Sequence, residues 1–398
     1  MAGVDGVARV KIVIVAPKIN LETGGGSHFT LALVCRGLHE RGVDVTVCSL
    51  APTAEPSAEA LRKLGVTLVD LPTGPGAAAD AAGRIAAAIY VAYGPLPIAF
   101  DLKRRVPGRR VIAYLNTLSG FCTNVLEQRD GCWLTCGHAD RVRHHPGRPA
   151  SRLAYLATGW STVAALARDY RALDAVAFDS APLRDAYGPV YGVPVAQTRV
   201  LPECIDFDAI RLAAAPRAGG DGTVEVLFVA ALAGYKGASL LVDALRRVRG
   251  PWRLSVFGDG PDRPVVEAFR AERPDQVAFH GHVDNRRLFA ELAGRPFVFV
   301  HPCLWFEAFG RAVIEAMALG LPVVVPDVGG PAWLVEDGVT GLHYHHRDST
   351  DLARRIEWAA RHPASMAAIG ERGVETARRF DYRAVAAIWH ETLAELAA

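Results

Sequence analysis

The stretch EAFGRAVIEAMALGLPVVVPDVGG, residues 307–330, decides how the chain is read. Gly320 and Pro322 close a short helical run from Arg311 to Leu319, and the apolar run Val323 to Val325 then reads as a buried strand. Glu307 therefore falls in the loop ahead of a helix and Glu315 inside it. Eight residues at 1.5 Å rise span at most roughly 12 Å, so two carboxylates can meet the two ends of one extended ligand. Between them lies a helix N-terminus, a natural seat for phosphate. Carboxylates accept hydrogen bonds from hydroxyls, so the spacing suits a sugar, a diphosphate and a ribose in a row. The bland alternative is two solvated charges on an ordinary helix.

Working outward, the same strand, turn and helix order occurs twice. Val10 to Ala16 is a continuous β-branched run, followed by Gly24 to Gly26, a helical pattern around Phe29 to Arg41 and a strand at Val43 to Leu50. Val224 to Val229 leads to Lys236, a helix from Ser239 to Val248 and a strand from Arg253 to Phe257. Two such openings predict an α/β chain of two Rossmann-like, doubly wound domains, and 398 residues exceed what one core usually serves. The expected domains are residues 1–205 and 206–375, joined by a connection in 201–222. A final helix, Tyr382 to Leu396, carries Val385, Ile388, Trp389 and Leu393 at helical spacing.

Residues 307–330 resemble the E-x7-E signature of retaining glycosyltransferases of family 4, which have the GT-B fold. PDVGGPAWLVEDGVTGL (326–342), VLFVAALAGYKGASLLVDAL (226–245) and TGGGSHFTLALVCRGLHERGVDVTV (23–47) are similar to further segments of that family. The resemblance implies two domains facing a central cleft, with residues 1–205 binding the acceptor, 206–375 binding a nucleotide sugar, and 376–398 packing back on the first. It gives Lys236 the diphosphate, Glu307 the transferred sugar and Glu315 the ribose hydroxyls. Phe309 and Gly310 would offer backbone N–H groups, and the base would lie against HGHVD (280–284), held by main-chain groups around His282. Gly25 and Gly26 would let backbone approach the ligand from the first domain, and Gly258 would line the donor site. No cofactor and no metal are implied; the donor is a UDP- or GDP-linked sugar and the acceptor a hydroxyl-bearing sugar, lipid-linked saccharide or natural product.

Two positions depart from the family. Ala231 stands where an arginine usually supplies a bidentate phosphate donor, and Arg311 stands where a leucine is more usual, so Arg311 is the candidate replacement. Asn116 stands where many relatives carry a histidine; an amide hydrogen-bonds a sugar hydroxyl but is no general base near neutral pH. No carboxylate of the first domain stands out as a nucleophile, so the resemblance implies front-face attack. A sugar-nucleotide epimerase or phosphorylase, or a degenerate binder lacking turnover, shares these features. The incomplete G-x-G-x-x-G at Gly258 and Gly260 does not support a nicotinamide cofactor.

Composition narrows the partners. Lys and Arg total 44 against 42 for Asp and Glu, a balance unlike that of a nucleic-acid binder working through bulk charge. No secretory pattern opens the chain, and the most apolar long window, Ile85 to Phe100, is broken by Gly94, Pro95 and Pro97 and is too short to span a bilayer, so the expected location is cytoplasmic. The basic runs 102–110 and 141–152 are candidates for peripheral contact with anionic lipid, with solvated loops as the commoner meaning. Seven cysteines without an export signal read as reduced thiols. Cys122, Cys132 and Cys136, with His138, His144 and His145 behind them, read as a metal-free loop, and a zinc site is the alternative.

Overall fold

The computed structural model describes residues 10–21, 26–94, 97–117, 164–213 and 222–398. The described residues form two units: one ends at Cys204 and takes back Tyr382–Ala398, and the other runs Ile205–Asp381. Gly25, the 122–136 cysteines, the histidines behind them and the basic run 141–152 lie outside the described residues.

The first unit is built on a parallel sheet of β1 (Lys11–Ala16), β2 (Asp44–Ser49), β3 (Thr67–Asp70), β4 (Ile89–Tyr93), β5 (Arg110–Leu115), β6 (Ala175–Phe178) and β7 (Thr198–Val200). Their order is β3-β2-β1-β4-β5-β6-β7. Ile12 to Val15 are fully buried, as they must be in a parallel strand covered on both faces. Helix Gly26–Glu40 starts earlier than the sequence pattern placed it and buries Leu31, Val34, Cys35 and Leu38 at spacings of three and four.

Helix Tyr382–Ala397 lies against helix Gly26–Glu40 in this unit. A Cβ added to Gly37 would sit 2.5 Å from the Ala386 Cβ, so the missing side chain is what lets the two backbones meet. The Tyr382 hydroxyl donates to Glu40 at 3.2 Å, and the Arg36 guanidinium lies 4.5 Å above the Tyr382 ring. Val385, Trp389 and Leu393 are buried, with Trp389 tilted against Tyr114 at 5.3 Å. Ile388 departs from the expected stripe and is 38% exposed, while the buried face takes Ala386 and Thr392 in addition to Val385, Trp389 and Leu393.

The second unit repeats the plan with β8 (Val224–Val229), β9 (Trp252–Phe257), β10 (Val277–Gly281), β11 (Phe297–Val300), β12 (Val323–Pro326) and β13 (Leu342–Tyr344), ordered β10-β9-β8-β11-β12-β13. Part of the stretch read as a connection is core: helix Phe207–Ala213 buries Phe207 and Ile210, and the Arg211 Nη1 donates to the Ala318 carbonyl at 3.1 Å. The order reverses between β1 and β4 in one sheet and between β8 and β11 in the other. Crevices at the carboxyl ends of parallel strands open at such points.

The basic run 102–110 is largely neutralised from within. Lys103 and Arg110 both bond Asp174, Arg104 bonds Asp101, and Arg105 bonds Asp80. No described helix is long and apolar enough to cross a membrane.

Equilibrium denaturation should show Trp389→Ala losing about 3–5 kcal/mol, the range for emptying a large aromatic site. Gly37→Ala should cost about 1–3 kcal/mol through the clash with Ala386, although alanine is the better helix former.

Candidate active site

The carboxyl ends of β8, β9, β11 and β12 converge at the second switch point, and their loops pack backbone to backbone. A Cβ on Gly258, after β9, would fall 1.8 Å from the Ala230 carbonyl oxygen; one on Gly237, after the Lys236 turn, 1.8 Å from that of Pro302. Both glycines hold positive φ, +127° and +79°. The Gly330 N–H donates to the Glu307 carbonyl at 2.8 Å, which docks the glycine pair behind β12 onto the Glu307 loop.

Lys236 ends the short turn Gly234–Lys236 behind β8, and Glu307 lies in the loop behind β11. Adjacency of β8 and β11 brings the two together across 71 residues of sequence: Nζ stands 2.5 Å from Glu307 Oε2. That same oxygen accepts the Trp305 indole N–H at 3.0 Å and the Cys303 thiol at 3.6 Å, with the His301 Nε2 at 3.7 Å. Lys236 also lies 5.6 Å from the Tyr235 ring and 5.3 Å from that of Trp305, and the two rings are 4.4 Å apart.

Burial alone would raise the Glu307 carboxyl. The Lys236 charge, His301 and the bonds from Lys236 and Trp305 outweigh it and hold the carboxyl well below the usual carboxylate range. Burial likewise presses the Lys236 ammonium toward neutrality, and Glu307 more than reverses this. His301 is pushed down to about 4, first by burial and against the pull of Glu307, and the Cys303 thiol is pushed up by burial and then by Glu307. At neutral pH the cluster therefore holds one cation, one anion, a neutral imidazole and a protonated thiol.

Helix Arg311–Ala318 begins behind Gly310, whose φ is +100°. Arg311 and Glu315 pair along it, Nε to Oε1 at 2.9 Å, both largely buried. Phe309 is buried, edge-on to Phe380 at 5.5 Å and to Trp333 at 6.2 Å. His280 and His282 are exposed, with His280 stacked on Phe257 at 4.2 Å, and the Gly258 N–H donates to the Gly281 carbonyl at 2.7 Å. In the first unit, Gly26 opens helix Gly26–Glu40 and Asn116, half-buried, follows β5.

Several residues escaped the sequence reading. His301 and Cys303 were not singled out; with Glu307, which was, they place one ligating atom each within 4.8 Å of one another, and the signal was an H-x-C-x3-E spacing at the end of an apolar strand. These three surround an ammonium, and a divalent ion beside it would meet like charge. At the carboxyl edge of the first sheet, Asp179 and Glu203 are buried carboxylates that follow β6 and β7. After burial itself, their charges help to push the Tyr93 and Tyr114 hydroxyls up.

Residues 217–376 match the family model described as glycosyl transferases group 1. The glycogen synthase of Mycobacterium tuberculosis is 30% identical over 262 residues, which is 63% of this chain and 59% of that protein. A sucrose synthase from Acidithiobacillus caldus is 33% identical over 138 residues, 30% of this chain and 17% of that one. The chain thus spans less than two thirds of the length of either relative. Among solved structures, Anabaena HepE in complex with UDP superposes with a TM-score of 0.71 at 18% identity, covering 97% of this chain and 100% of that one. The sucrose-phosphate synthase of Thermosynechococcus elongatus gives 0.72 at 20% identity over 98% and 99%. The chain has the GT-B fold, and its residues 217–376 are similar throughout to a glycosyltransferase domain.

Proposed function

We propose that this chain is a retaining glycosyltransferase that moves a hexosyl-type unit from a nucleoside-diphosphate sugar to an acceptor hydroxyl. The observation that carries the reading is the Lys236–Glu307 pair at the switch between β8 and β11. The family match over 217–376 and the fold support it.

Chemistry follows from the pair's charge. Each glutamate of the E-x7-E stretch already holds a cation, Glu307 with Lys236 and Glu315 with Arg311. An arriving diphosphate draws Lys236 toward itself, and Glu307 turns its freed lone pairs to sugar hydroxyls, so the donor replaces an ion pair and leaves no charge bare. As the bond from the anomeric carbon to the phosphate oxygen breaks, its electron pair goes to the diphosphate, where Lys236 and the helix end at Gly310 stabilise the growing charge. The acceptor oxygen bonds the same face of that carbon and passes its proton to the departing phosphate oxygen. Arg311, oriented by Glu315, stands in for the guanidinium absent at Ala231. Glu315, His282 and Gly258 take the nucleoside end, and Phe309 and Gly310 the sugar and phosphate. His301, held neutral, leaves Lys236 as the cation that faces Glu307. HepE is described with UDP-glucose, which makes that compound the first donor to test.

In a thermal-shift panel, a UDP- or GDP-sugar should raise the melting temperature by a few degrees and NAD should not; a hundredfold excess over Kd corresponds to about 2.7 kcal/mol. Acceptor-dependent release of nucleoside diphosphate should separate transfer from epimerisation, and its absence with every donor would sink the reading. Glu307→Gln should cut kcat about 100-fold or more and cost about 3 kcal/mol of stability by stranding a buried ammonium, whereas Lys236→Met combined with Glu307→Gln should regain stability but not turnover. His301 should also set an acid limit. The unfolded chain protonates it near 6.5 and the folded chain only near 4, so its contribution is complete above about pH 6.5 and lost as pH falls toward 4. His301→Gln should flatten that part of the melting-temperature profile, worth on the order of 3 kcal/mol.

A further inference from the structure

Among the described residues Arg347 is the one non-glycine residue with positive φ, at +63°. An L side chain crowds its own backbone there, so such a residue persists only where its surroundings impose it. The turn from β13 to helix Ser349–Arg361 does impose it. Asp327, next after β12, accepts the His346 N–H at 2.9 Å and holds the His345 ring at 2.7 Å. Asp351 accepts the His345 N–H at 2.7 Å, and Asp348 caps the following helix through the N–H groups of Thr350 and Asp351.

A glycine would satisfy that turn without strain, so the arginine must supply something the backbone does not need. Its Nε and Nη2 both donate to the Leu304 carbonyl, at 2.9 and 2.7 Å. On its other side, the Leu304 N–H donates to the Tyr235 carbonyl at 2.8 Å. Leu304 is thus held from both flanks, by the Lys236 loop and by the β13 turn. Directly after it comes Trp305, whose ring packs on Tyr235 and whose indole N–H meets Glu307.

We infer that Arg347 is a positioning residue for the active site, its forked guanidinium fixing Leu304 and thereby the orientation of Trp305 and the Glu307 carboxylate. A guanidinium converges two coplanar N–H groups on one carbonyl oxygen, which an ammonium does not reproduce in the same plane. The inference rests on the donor-site reading for its functional consequence but not for its structural one.

Two substitutions in the full chain separate the fork from the strain. R347G relieves the turn and removes the fork; R347K keeps the strain and removes the fork. Hydrogen–deuterium exchange should show faster uptake at residues 303–309 in R347G, with a melting temperature no lower than wild type. With UDP-glucose as probe, kcat for UDP release should fall about tenfold in both variants, and R347K should also melt lower. Unchanged uptake at 303–309, or full kcat in R347G, overturns the inference, as does a kcat loss that merely tracks a fall in melting temperature. Should wild type release UDP or GDP from no nucleotide sugar, the donor-site reading falls, and the exchange result alone decides Arg347.

Discussion

One ammonium and one carboxylate, both largely shielded from water and 2.5 Å apart, tie together the loops behind β8 and β11 in the second unit. Neither tolerates that environment alone, because removing a single charge from water costs several kcal/mol. Each loop that reaches the site therefore serves the pair. The Tyr235 loop presents the ammonium, the Trp305 indole and Cys303 thiol supply further donors to the carboxylate, and glycine contacts close the backbones around them. Such a site carries one positive and one negative charge in direct contact, and the bonds from Lys236, Trp305 and Cys303 all converge on one oxygen of Glu307.

Much of the architecture was legible because parallel strands covered on both faces are apolar over most of their length. Ile12 to Ala16 and Val226 to Val229 announce themselves this way, and each strand is followed by a helix in the chain as in the fold. Phe207 and Ile210 gave too short a pattern to show that their segment is a helix of the core. Ile388 fits the apolar spacing yet is exposed, because the helix face that packs inward is centred on Val385, Ala386, Trp389 and Leu393 and takes in the small Ala386 and the polar Thr392, which hydrophobic spacing does not mark.

At the site, the two glutamates and the lysine were visible as letters at telling distances. Their pairing was not, since it depends on β8 and β11 lying side by side, a crossover that no local pattern announces. His301 and Cys303 were lost for a related reason: single polar letters closing an apolar run look like the end of a strand. Arg347 was hidden more deeply, because a left-handed backbone leaves no mark on an arginine in a sequence.

Helix Tyr382–Ala397 carries one further consequence, for synthesis. Trp389 and Leu393 complete the core of the unit that begins at the amino terminus. In synthesis that helix emerges only after the whole Ile205–Asp381 unit, and until it does the apolar face of helix Gly26–Glu40 lacks the cover that Val385, Trp389 and Leu393 give it.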